Sequence, residues 1–475
     1  MKITKSPVQL FASPKAVILQ YLSLPGSERI HHVINRLEKF SEEEVNGLLL
    51  KVAADFSSRH RNINEIFKQH FDRTEKQFGK SLDHFSANRK LLLGSFFTKE
   101  YSIQAAALFN PSIVAHPDQS QLSKGQQRFV MSLRATGEGH ISSIAFKSGI
   151  VDENGNVVLD NPALFATRLE KNADALYSKA FVLKCAGAFP EFKSSVLEML
   201  PEQFTAAVAM EVLSSIAAKD LAVENSISII ENILDSNYEL HSSAALPLNE
   251  KVIFPGGKAE SMGMEDVRFV KFTDADETTY YGTYTAYNGH RIQTQMIQTK
   301  DFDIFQIRKL YGDAISDKGM ALFPERINGK YVMISRQGGE VMNIMYADDL
   351  YRWDEYRLLL EPRFHWEIVQ SGNCGSPVKT SEGWLLLTHG VGALRTYVIG
   401  AILLDLYDPS IVIKRLYEPL LIADEAEREG YVPNVVYTCG LMLHGSKLII
   451  PYAVSDAATA FVTIELNELL NEMKP

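Results

Sequence analysis

The feature that most constrains the fold is a series of short strand–turn–strand units running from about residue 250 to the C-terminal part of the chain. Apolar and β-branched runs flank turn signals at Gly289, Asn328–Gly329, Gly383 and Gly445. Successive turn glycines are 40, 54 and 62 residues apart. Repeated units of this length, each with several short strands, predict a β-propeller, which protects its sheet edges by radial repetition. A long β-sandwich is the structural alternative.

An earlier turn signal, DENGN at 152–156, lies between two further β-rich runs. Counting it as the first unit gives five, so the expected fold is mainly β, a five-bladed β-propeller over about residues 107–465. Helical spacing of apolar residues predicts an N-terminal helical region over 1–106 and a helical insertion at about 163–242. Residues 466–475 are expected to form a C-terminal tail.

Composition narrows the class of protein. The chain has 475 residues, 46% hydrophobic and 22% charged, which excludes collagen-like and wholly disordered proteins. A formal charge of −10 gives no general attraction to nucleic acid or to an anionic membrane, so neither is an expected partner. Cys185, Cys374 and Cys439 are far apart without CxxC spacing, which argues against disulfides and a metal site. A cytoplasmic location is therefore expected.

The segment SMGMEDVRFV, residues 261–270, carries the most informative polar residues. Glu265, Asp266 and Arg268 form an acidic pair with an arginine at strand spacing. A surface ion pair beside a turn would explain them without any function. On the innermost strand of a propeller, however, the same carboxylates would be crowded and partly desolvated, which shifts their pKa values and suits acid–base chemistry.

Five motifs in order along the chain resemble glycoside hydrolase family 130. They are GMEDVRFV, YTAY, LFPERINGKYVMISR, GSPVKTSEGWLLLTHGVG and IGAILLDLYDPSIVIKR. The family comprises β-mannoside phosphorylases and β-mannosidases built on five-bladed β-propellers. The resemblance covers about residues 107–465, and the helical regions resemble additions found in longer members.

This resemblance implies roles for particular residues. Asp266 would be the general acid, with its proton reaching the glycosidic oxygen through the 3-hydroxyl of the sugar. Glu265 and Arg268 would hold the mannosyl group and orient Asp266, and Arg134 would bind sugar or phosphate. The other residues expected to bind substrate are Asn110, Tyr284 and Asp456.

A phosphorylase also needs cations to hold phosphate below the sugar. By the resemblance, Arg336 and His389 coincide with phosphate ligands, and Tyr397 matches a phosphate-binding tyrosine after a shorter loop. Lys318 stands where phosphorylases often have arginine. Gln370 replaces a phosphorylase lysine, which would keep a hydrogen bond and lose a charge.

An inverting hydrolase needs a second carboxylate to activate water. Glu325 and Glu367 are the candidates, although Glu325 could equally pair with Arg326. The segment 364–366, Phe-His-Trp, could form an aromatic wall for a sugar face or simply fill the core.

The expected function is inverting phosphorolysis of β-linked mannosides, above all β-1,2-manno-oligosaccharides, to α-mannose 1-phosphate. An inverting β-mannosidase and a mannosyltransferase are the enzymatic alternatives, and an inactive sugar-binding propeller is the alternative of another class. No cofactor is expected beyond inorganic phosphate as co-substrate. The helical additions are expected to shape outer subsites or to form a homo-oligomer, and the basic cluster 59–61 to be a solvated or interface patch.

Overall fold

A computed structural model describes residues 1–187, 189–216, 221–242 and 245–475. The chain is mainly β with helices at its N-terminus, in the predicted insertion and at its C-terminus. Positions 188 and 217–220 of that insertion lie outside the described residues. The described α-helices are α1 Ser27–Leu37, α2 Glu42–Phe56, α3 Ile63–Phe78, α4 Ala87–Phe96, α5 Lys179–Ala186, α6 Ala206–Ser215, α7 Leu221–Ser236 and α8 Leu466–Glu472.

Helices α1–α4 enclose a core of their own. Helix α2 begins with a capping box, in which the Ser41 hydroxyl accepts from the Glu44 backbone N–H and the Glu44 carboxylate accepts from the Ser41 N–H. The helices pack through buried side chains, among them Ile34, Val45, Phe71, Leu92, Leu93 and Phe97. This core belongs to the N-terminal region alone, as the helical spacing of the sequence indicates.

The basic cluster 59–61 forms ion pairs inside the molecule. Arg59 and His60 both contact the carboxylate of Glu100, at 2.7 and 2.6 Å. Arg61 contacts the buried carboxylate of Glu250 at 2.8 Å, which links the N-terminal helices to the β-rich part of the chain. The cluster is therefore paired within the chain, although the side chains of Arg59 and Arg61 remain 43% and 39% exposed.

The chain ends contain structure that the sequence analysis did not anticipate. Ile3–Phe11 is a strand that pairs antiparallel with Ala458–Glu465, and Val17–Tyr21 pairs with Thr98–Ser102. Helix α8 occupies most of the predicted tail. Describing 1–106 as helical and 466–475 as a tail was thus incomplete, because strand Ile3–Phe11 is specified by a partner about 450 residues away in sequence.

The β-rich part consists of mostly antiparallel sheets, whose main strands follow one another in the chain. The first contains Ala107–Ala115, Gln127–Thr136, Ser142–Val151 and Val157–Leu159. Lys251–Ile253 extends the first sheet and pairs parallel with Thr167–Arg168. The second contains Gly263–Asp274, Glu277–Tyr287, Ile292–Thr299 and Phe305–Lys309, and Tyr238–His241 extends it. A parallel bridge between Ser142 and Gly263 makes these two sheets continuous.

Three further sheets follow the same pattern. The third contains Ala321–Leu322, Tyr331–Ser335, Met342–Ala347 and Arg357–Leu360. The fourth contains Gln370–Asn373, Val378–Lys379, Trp384–Val391, Tyr397–Leu404 and Val412–Arg415. The fifth contains Val436–Tyr437, Met442–His444, Lys447–Val454 and Ala458–Glu465, and the N-terminal strand Ile3–Phe11 completes it.

The predicted turns lie where the sequence signals placed them. Asn328 and Gly329 both have positive φ, 51° and 79°, as a two-residue turn before strand Tyr331–Ser335 requires. Gly383 and Gly445 likewise precede the strands Trp384–Val391 and Lys447–Val454. Local turn chemistry therefore determines where these strands begin.

The predicted helical insertion is present in the described residues as α5, α6 and α7. A short ladder between Leu176–Ser178 and Gln203–Thr205 joins the segments that precede α5 and α6. The insertion has its own buried cluster, against which Tyr311 of the β-rich part packs. The three cysteines are free and buried, and no helix in the described ranges is long and apolar enough to span a bilayer.

Candidate active site

One cavity, of about 310 Å³, collects side chains from strands of four sheets and from Arg336, which directly follows strand Tyr331–Ser335 of the third, and we call it the Asp266 cavity. Polar and charged groups dominate its lining. It is lined by Asn110, Arg134, Asp266, Arg268, Lys318, Arg336, Gln370, His389, Arg395, Tyr397, Val435, Tyr437 and Asp456. Five of these are Arg or Lys and two are Asp, so the formal charge of the lining is +3 with His389 neutral, in a chain whose net charge is −10.

Asp266 projects into this cavity from a β-bulge. The register of strand Gly263–Asp274 shifts between Glu265 and Arg268, and Asp266 has a φ of 55°. Asn110 lies in a matching bulge of the first sheet with a φ of 48°. Bulges of this kind redirect a side chain out of the strand alternation and are frequent next to active sites.

The two bulges bring Asn110 and Asp266 together. The Asn110 amide Nδ2 donates to Oδ1 of Asp266 at 2.7 Å. The Arg134 guanidinium donates to the same oxygen at 3.2 Å and to Oε1 of Glu265 at 2.7 Å. Asp266 is therefore held in one orientation by two donors, while Glu265 lies beside the cavity as the second partner of Arg134.

Charge neighbours set the ionisation of this acidic pair. Burial by itself raises the pKa of Asp266, but Arg134, Arg268 and Lys318 outweigh it and lower the pKa to about 2. For Glu265, burial outweighs the attraction of Arg134 and the pKa is raised. Asp266 is thus a carboxylate near neutral pH in the unliganded cavity.

Asp456 is the second carboxylate in the lining. It follows Ser455 in a turn where both residues have positive φ, 46° and 49°. Burial, and then the negative charge of Asp266, raise the pKa of Asp456 to about 6, although Arg134 opposes the shift. Asp266 and Asp456 therefore face one cavity with different pKa values, about 2 and about 6. Such a difference allows one carboxyl group to keep a proton at a pH where the other has lost it.

The raised pKa of Asp456 predicts a pH-dependent stability. The pKa of about 6 in the folded chain exceeds the ordinary value of 3.8, so ionisation of Asp456 disfavours the folded state. This cost is absent below about pH 4, grows up to about pH 6 and is complete above it. We expect Asp456→Asn to raise the free energy of unfolding by up to about 3 kcal/mol at about pH 8 and to leave it unchanged at about pH 3.5.

Urea unfolding at the two pH values measures this effect. Asp276→Asn, in an exposed hairpin turn, is the matched control for loss of one carboxylate. A variant Asp456→Asn that gains nothing at pH 8, or that gains equally at both pH values, would contradict the expectation.

The basic side of the cavity is built around Arg268, Arg336 and His389. Arg268 donates to the hydroxyl of Tyr437 at 2.6 Å, and Nη1 of Arg336 lies 3.0 Å from Nε2 of His389. The Nε atoms of both arginines are buried without a hydrogen-bond partner in the described part of the chain. With Lys318, these two arginines give this side of the cavity a cluster of cations, which is suited to an anion.

His389 is neutral and its tautomer follows from its contacts. Burial, and then the adjacent Arg336, hold the pKa of His389 well below its usual range. Nδ1 lies 3.2 Å from the carbonyl oxygen of Asn373 and donates to it. Nε2 is then the acceptor for Arg336, and Nε2 of Gln370 donates to it at 3.3 Å. The Tyr397 ring stacks on the imidazole at 5.9 Å between centroids.

The cavity gathers most of the residues singled out in the sequence. Those that line it are Asn110, Arg134, Asp266, Arg268, Lys318, Arg336, Gln370, His389, Tyr397 and Asp456. Arg395 and Tyr437 also line it and were missed. Arg395 could have been found from its position two residues before Tyr397. Nothing in the local sequence distinguishes Tyr437 from a core tyrosine.

The expectation that Tyr284 contacts substrate is corrected by its surroundings. The side chain is 1% exposed, and its hydroxyl lies 2.6 Å from the buried carboxylate of Glu260 and 2.7 Å from Gln295. Strand alternation turns Tyr284 into the packed interior of the second sheet, away from the cavity.

The two candidate hydrolytic bases also lie outside the lining. Glu325 is half-buried and pairs with Lys379 at 2.5 Å, not with Arg326. Glu367 is buried and pairs with Arg415 at 2.5 Å. The segment 364–366 is not an aromatic wall of the cavity, because Trp366 is buried and donates its indole N–H to the carbonyl of Tyr417. The core-filling interpretation applies to Trp366.

Comparison with known proteins places the chain in a family. The sequence model described as beta-1,4-mannooligosaccharide phosphorylase, which represents glycoside hydrolase family 130, matches residues 230–475. The chain belongs to glycoside hydrolase family 130. The matched segment contains Asp266, Arg336 and His389, whereas Asn110 and Arg134 precede it.

Individual members of family 130 resemble the chain over about half its length. It is 34% identical over 228 residues to a 1,2-beta-oligomannan phosphorylase of Thermoanaerobacter sp., covering 47% of this chain and 75% of that protein. It is 33% identical over 237 residues to a beta-1,2-mannobiose phosphorylase of Listeria innocua, covering 48% and 65%. A solved Listeria innocua beta-1,2-mannobiose phosphorylase in complex with beta-1,2-mannobiose aligns with a TM-score of 0.48 and 23% identity, covering 77% of this chain and 92% of that one.

Proposed function

We propose that this protein catalyses phosphorolysis of β-linked mannosides, with β-1,2-manno-oligosaccharides as the favoured substrates. The observation that carries the proposal is the pairing, in one cavity, of a positioned carboxylate at Asp266 with the cations Arg268, Lys318 and Arg336. The first group suits acid catalysis at a glycosidic oxygen, and the second suits a bound phosphate. The names of the two family 130 relatives support the choice of sugar and linkage.

In the proposed reaction, a phosphate oxygen attacks the anomeric carbon of the terminal mannosyl group from the face opposite the leaving sugar. The glycosidic C–O bond breaks, and the leaving oxygen takes the proton of Asp266, relayed through the 3-hydroxyl. A single displacement inverts the anomeric carbon and gives α-mannose 1-phosphate and a shortened mannoside. Inorganic phosphate is the co-substrate, and no other cofactor enters the scheme.

Phosphate binding provides a way for Asp266 to become protonated, as its role as general acid requires. The cations Arg268 and Lys318 contribute to the low pKa of Asp266 in the unliganded cavity. A phosphate dianion among Lys318, Arg268 and Arg336 would offset that positive charge and so raise the pKa of Asp266. Asp456, with a pKa of about 6, is the adjacent carboxyl group from which a proton can be shared.

We further propose that the five sheets are the blades of a five-bladed propeller. Three arguments support this arrangement. The main strands of each sheet follow one another in the chain, and the N-terminal strand Ile3–Phe11 completes the last sheet. Strands of four sheets contribute residues to the Asp266 cavity, and Arg336, directly after strand Tyr331–Ser335, does so from the end of the third. A radial arrangement places one strand of every sheet at a common axis.

Hydrolysis is the second candidate, because Asp456 gives the cavity the second carboxylate that an inverting hydrolase needs. Incubation with β-1,2-mannobiose, with and without inorganic phosphate, separates the two reactions. We expect mannose 1-phosphate and mannose in equal amounts, formed only when phosphate is present. Release of two mannose molecules without phosphate would establish the hydrolase, and binding without turnover would indicate a sugar-binding protein.

A further inference from the structure

A second cavity, of about 240 Å³, lies where the helical insertion meets the second sheet, and we call it the Arg308 cavity. Phe181 and Lys184 of α5 contribute to it from the insertion, and Arg308 and Lys309 contribute from the end of strand Phe305–Lys309. It shares no lining residue with the Asp266 cavity. Phe181 and Lys184 also lie outside the segment that matches the family.

The lining of the Arg308 cavity is strongly basic. It contains four cations and one carboxylate, Asp349, in a chain that is acidic as a whole. Lys184 is neutralised by Asp349 at 2.8 Å, and Arg352 by Asp354 at 2.9 Å. The other two cations, both from the strand, have no carboxylate within 4.0 Å in the described ranges.

The contacts of these two cations are weak. The Arg308 guanidinium lies 3.3 Å from Oε1 of Gln306 and 5.6 Å from the ring centroid of Phe181. Nζ of Lys309 lies 5.5 Å from the ring centroid of Tyr311. Burial lowers the pKa of Lys309, because no nearby carboxylate compensates for the lost hydration. An anion in the cavity would supply that compensation.

A polar groove of about 540 Å³ adjoins the Arg308 cavity and shares Phe181, Gln306 and Arg308 with it. Its other walls carry hydroxyl, amide and carboxylate groups that can bind the hydroxyls of a sugar. They include Asn172, Tyr177, Ser178, Gln203 and Glu239. Arg308 therefore lies between a basic cavity and a groove rich in hydrogen-bonding groups.

We propose that the Arg308 cavity is a second ligand site, which binds a small phosphorylated sugar. The phosphate contacts Arg308 and Lys309, and the sugar hydroxyls extend into the adjoining groove. A phosphate monoester carries a charge of about −1.5 to −2 near neutral pH, which matches two unpaired cations, whereas a monocarboxylate matches one. The site is independent of the proposed phosphorolysis, because it uses none of the residues of the Asp266 cavity.

Calorimetric titration with mannose 6-phosphate tests this site. Arg336→Gln, which weakens the anion-binding side of the Asp266 cavity, should leave one binding event intact. Adding Arg308→Gln and Lys309→Met to that background should weaken this event by about tenfold or more, since each removed contact is charge-assisted. Arg308→Lys should retain most of the binding, and Lys300→Gln, an exposed lysine outside both cavities, should change nothing.

Thermal unfolding provides a second measurement, because the loss of Lys309 should weaken ligand binding but stabilise the protein without ligand. Lys309→Met removes a half-buried charge that has no carboxylate partner in the described ranges and keeps the length of the side chain, so without ligand it should raise the melting temperature. In the Arg336→Gln background, mannose 6-phosphate should then stabilise the protein that keeps Arg308 and Lys309 and fail to stabilise the one that also carries Arg308→Gln/Lys309→Met. The proposal is overturned if mannose 6-phosphate does not bind, if mannose binds equally well, or if Arg336→Gln abolishes binding while Arg308→Gln/Lys309→Met does not.

Discussion

Asp266→Asn is expected to lower kcat/KM for β-1,2-mannobiose phosphorolysis by about a hundred- to ten-thousand-fold, the usual contribution of a general acid. The amide has the shape of the carboxyl group but cannot deliver its proton. Its carbonyl oxygen can still accept from Asn110 and Arg134, the two donors that orient Asp266. The fold and the geometry of the bulge should therefore persist, which circular dichroism and thermal unfolding can check.

Glu265→Gln is the matched control for this substitution. It removes a neighbouring negative charge that also contacts Arg134, at 2.7 Å, but leaves the group proposed to donate the proton. We expect it to cost roughly tenfold or less, consistent with a single weakened hydrogen bond. An Asp266→Asn variant that retains more than about a tenth of the activity would move the acid role to another group, with Glu265 examined next.

Glu367→Ala is expected to lower the free energy of unfolding by about 3–5 kcal/mol, the usual cost of removing one partner of a buried ion pair. Glu367 is 1% exposed. Its Oε1 accepts from Arg415 at 2.5 Å and from the backbone N–H groups of Arg363 and Phe364 at 2.8 and 3.1 Å. The substitution leaves the Arg415 guanidinium buried without its counter-charge.

Urea unfolding of Glu367→Ala, Arg415→Met and the double variant Glu367→Met/Arg415→Met tests whether the unpaired charge causes the loss of stability. The double variant should be more stable than Glu367→Ala, because it leaves neither charge unpaired. Activity per folded molecule should be retained in all three. A Glu367→Ala variant that folds with undiminished stability and loses hydrolytic activity would restore Glu367 as a candidate base.

Several site residues were recognisable from sequence because their identity is carried by local motifs. Asp266 and Arg268 lie in one short segment, Arg336 directly follows strand Tyr331–Ser335, and His389 lies within strand Trp384–Val391, and a turn signal precedes each of these two strands. Their clustering in one cavity agrees with the roles assigned to them, which remain predictions. Tyr284 was misassigned because its place in a sequence motif does not show which face of the strand its side chain lies on, and the side chain is buried.

Other features depend on contacts that no local pattern encodes. From the sequence, Glu367 is a carboxylate near the site. In the structure it forms a buried ion pair with Arg415, 48 residues away, which gives it a structural role. Tyr437 enters the cavity through its contact with Arg268, 169 residues away. The Arg308 cavity exists only because the insertion folds back onto a strand that follows it in the chain.

The sequence alone indicated the turns between successive strands of the β-rich part, the two helical regions, which segments hold acidic and basic groups, and which family the motifs resemble. These follow from turn chemistry, periodicity and residue identity, all of which act over a few neighbouring residues. The tertiary structure decided the pairing of Ile3–Phe11 with the last sheet and the bulges that turn Asn110 and Asp266 toward each other. It also set the opposite pKa shifts of Asp266 and Asp456. Pairing, register and electrostatic environment depend on groups distant in sequence, so they are settled only when the chain has folded.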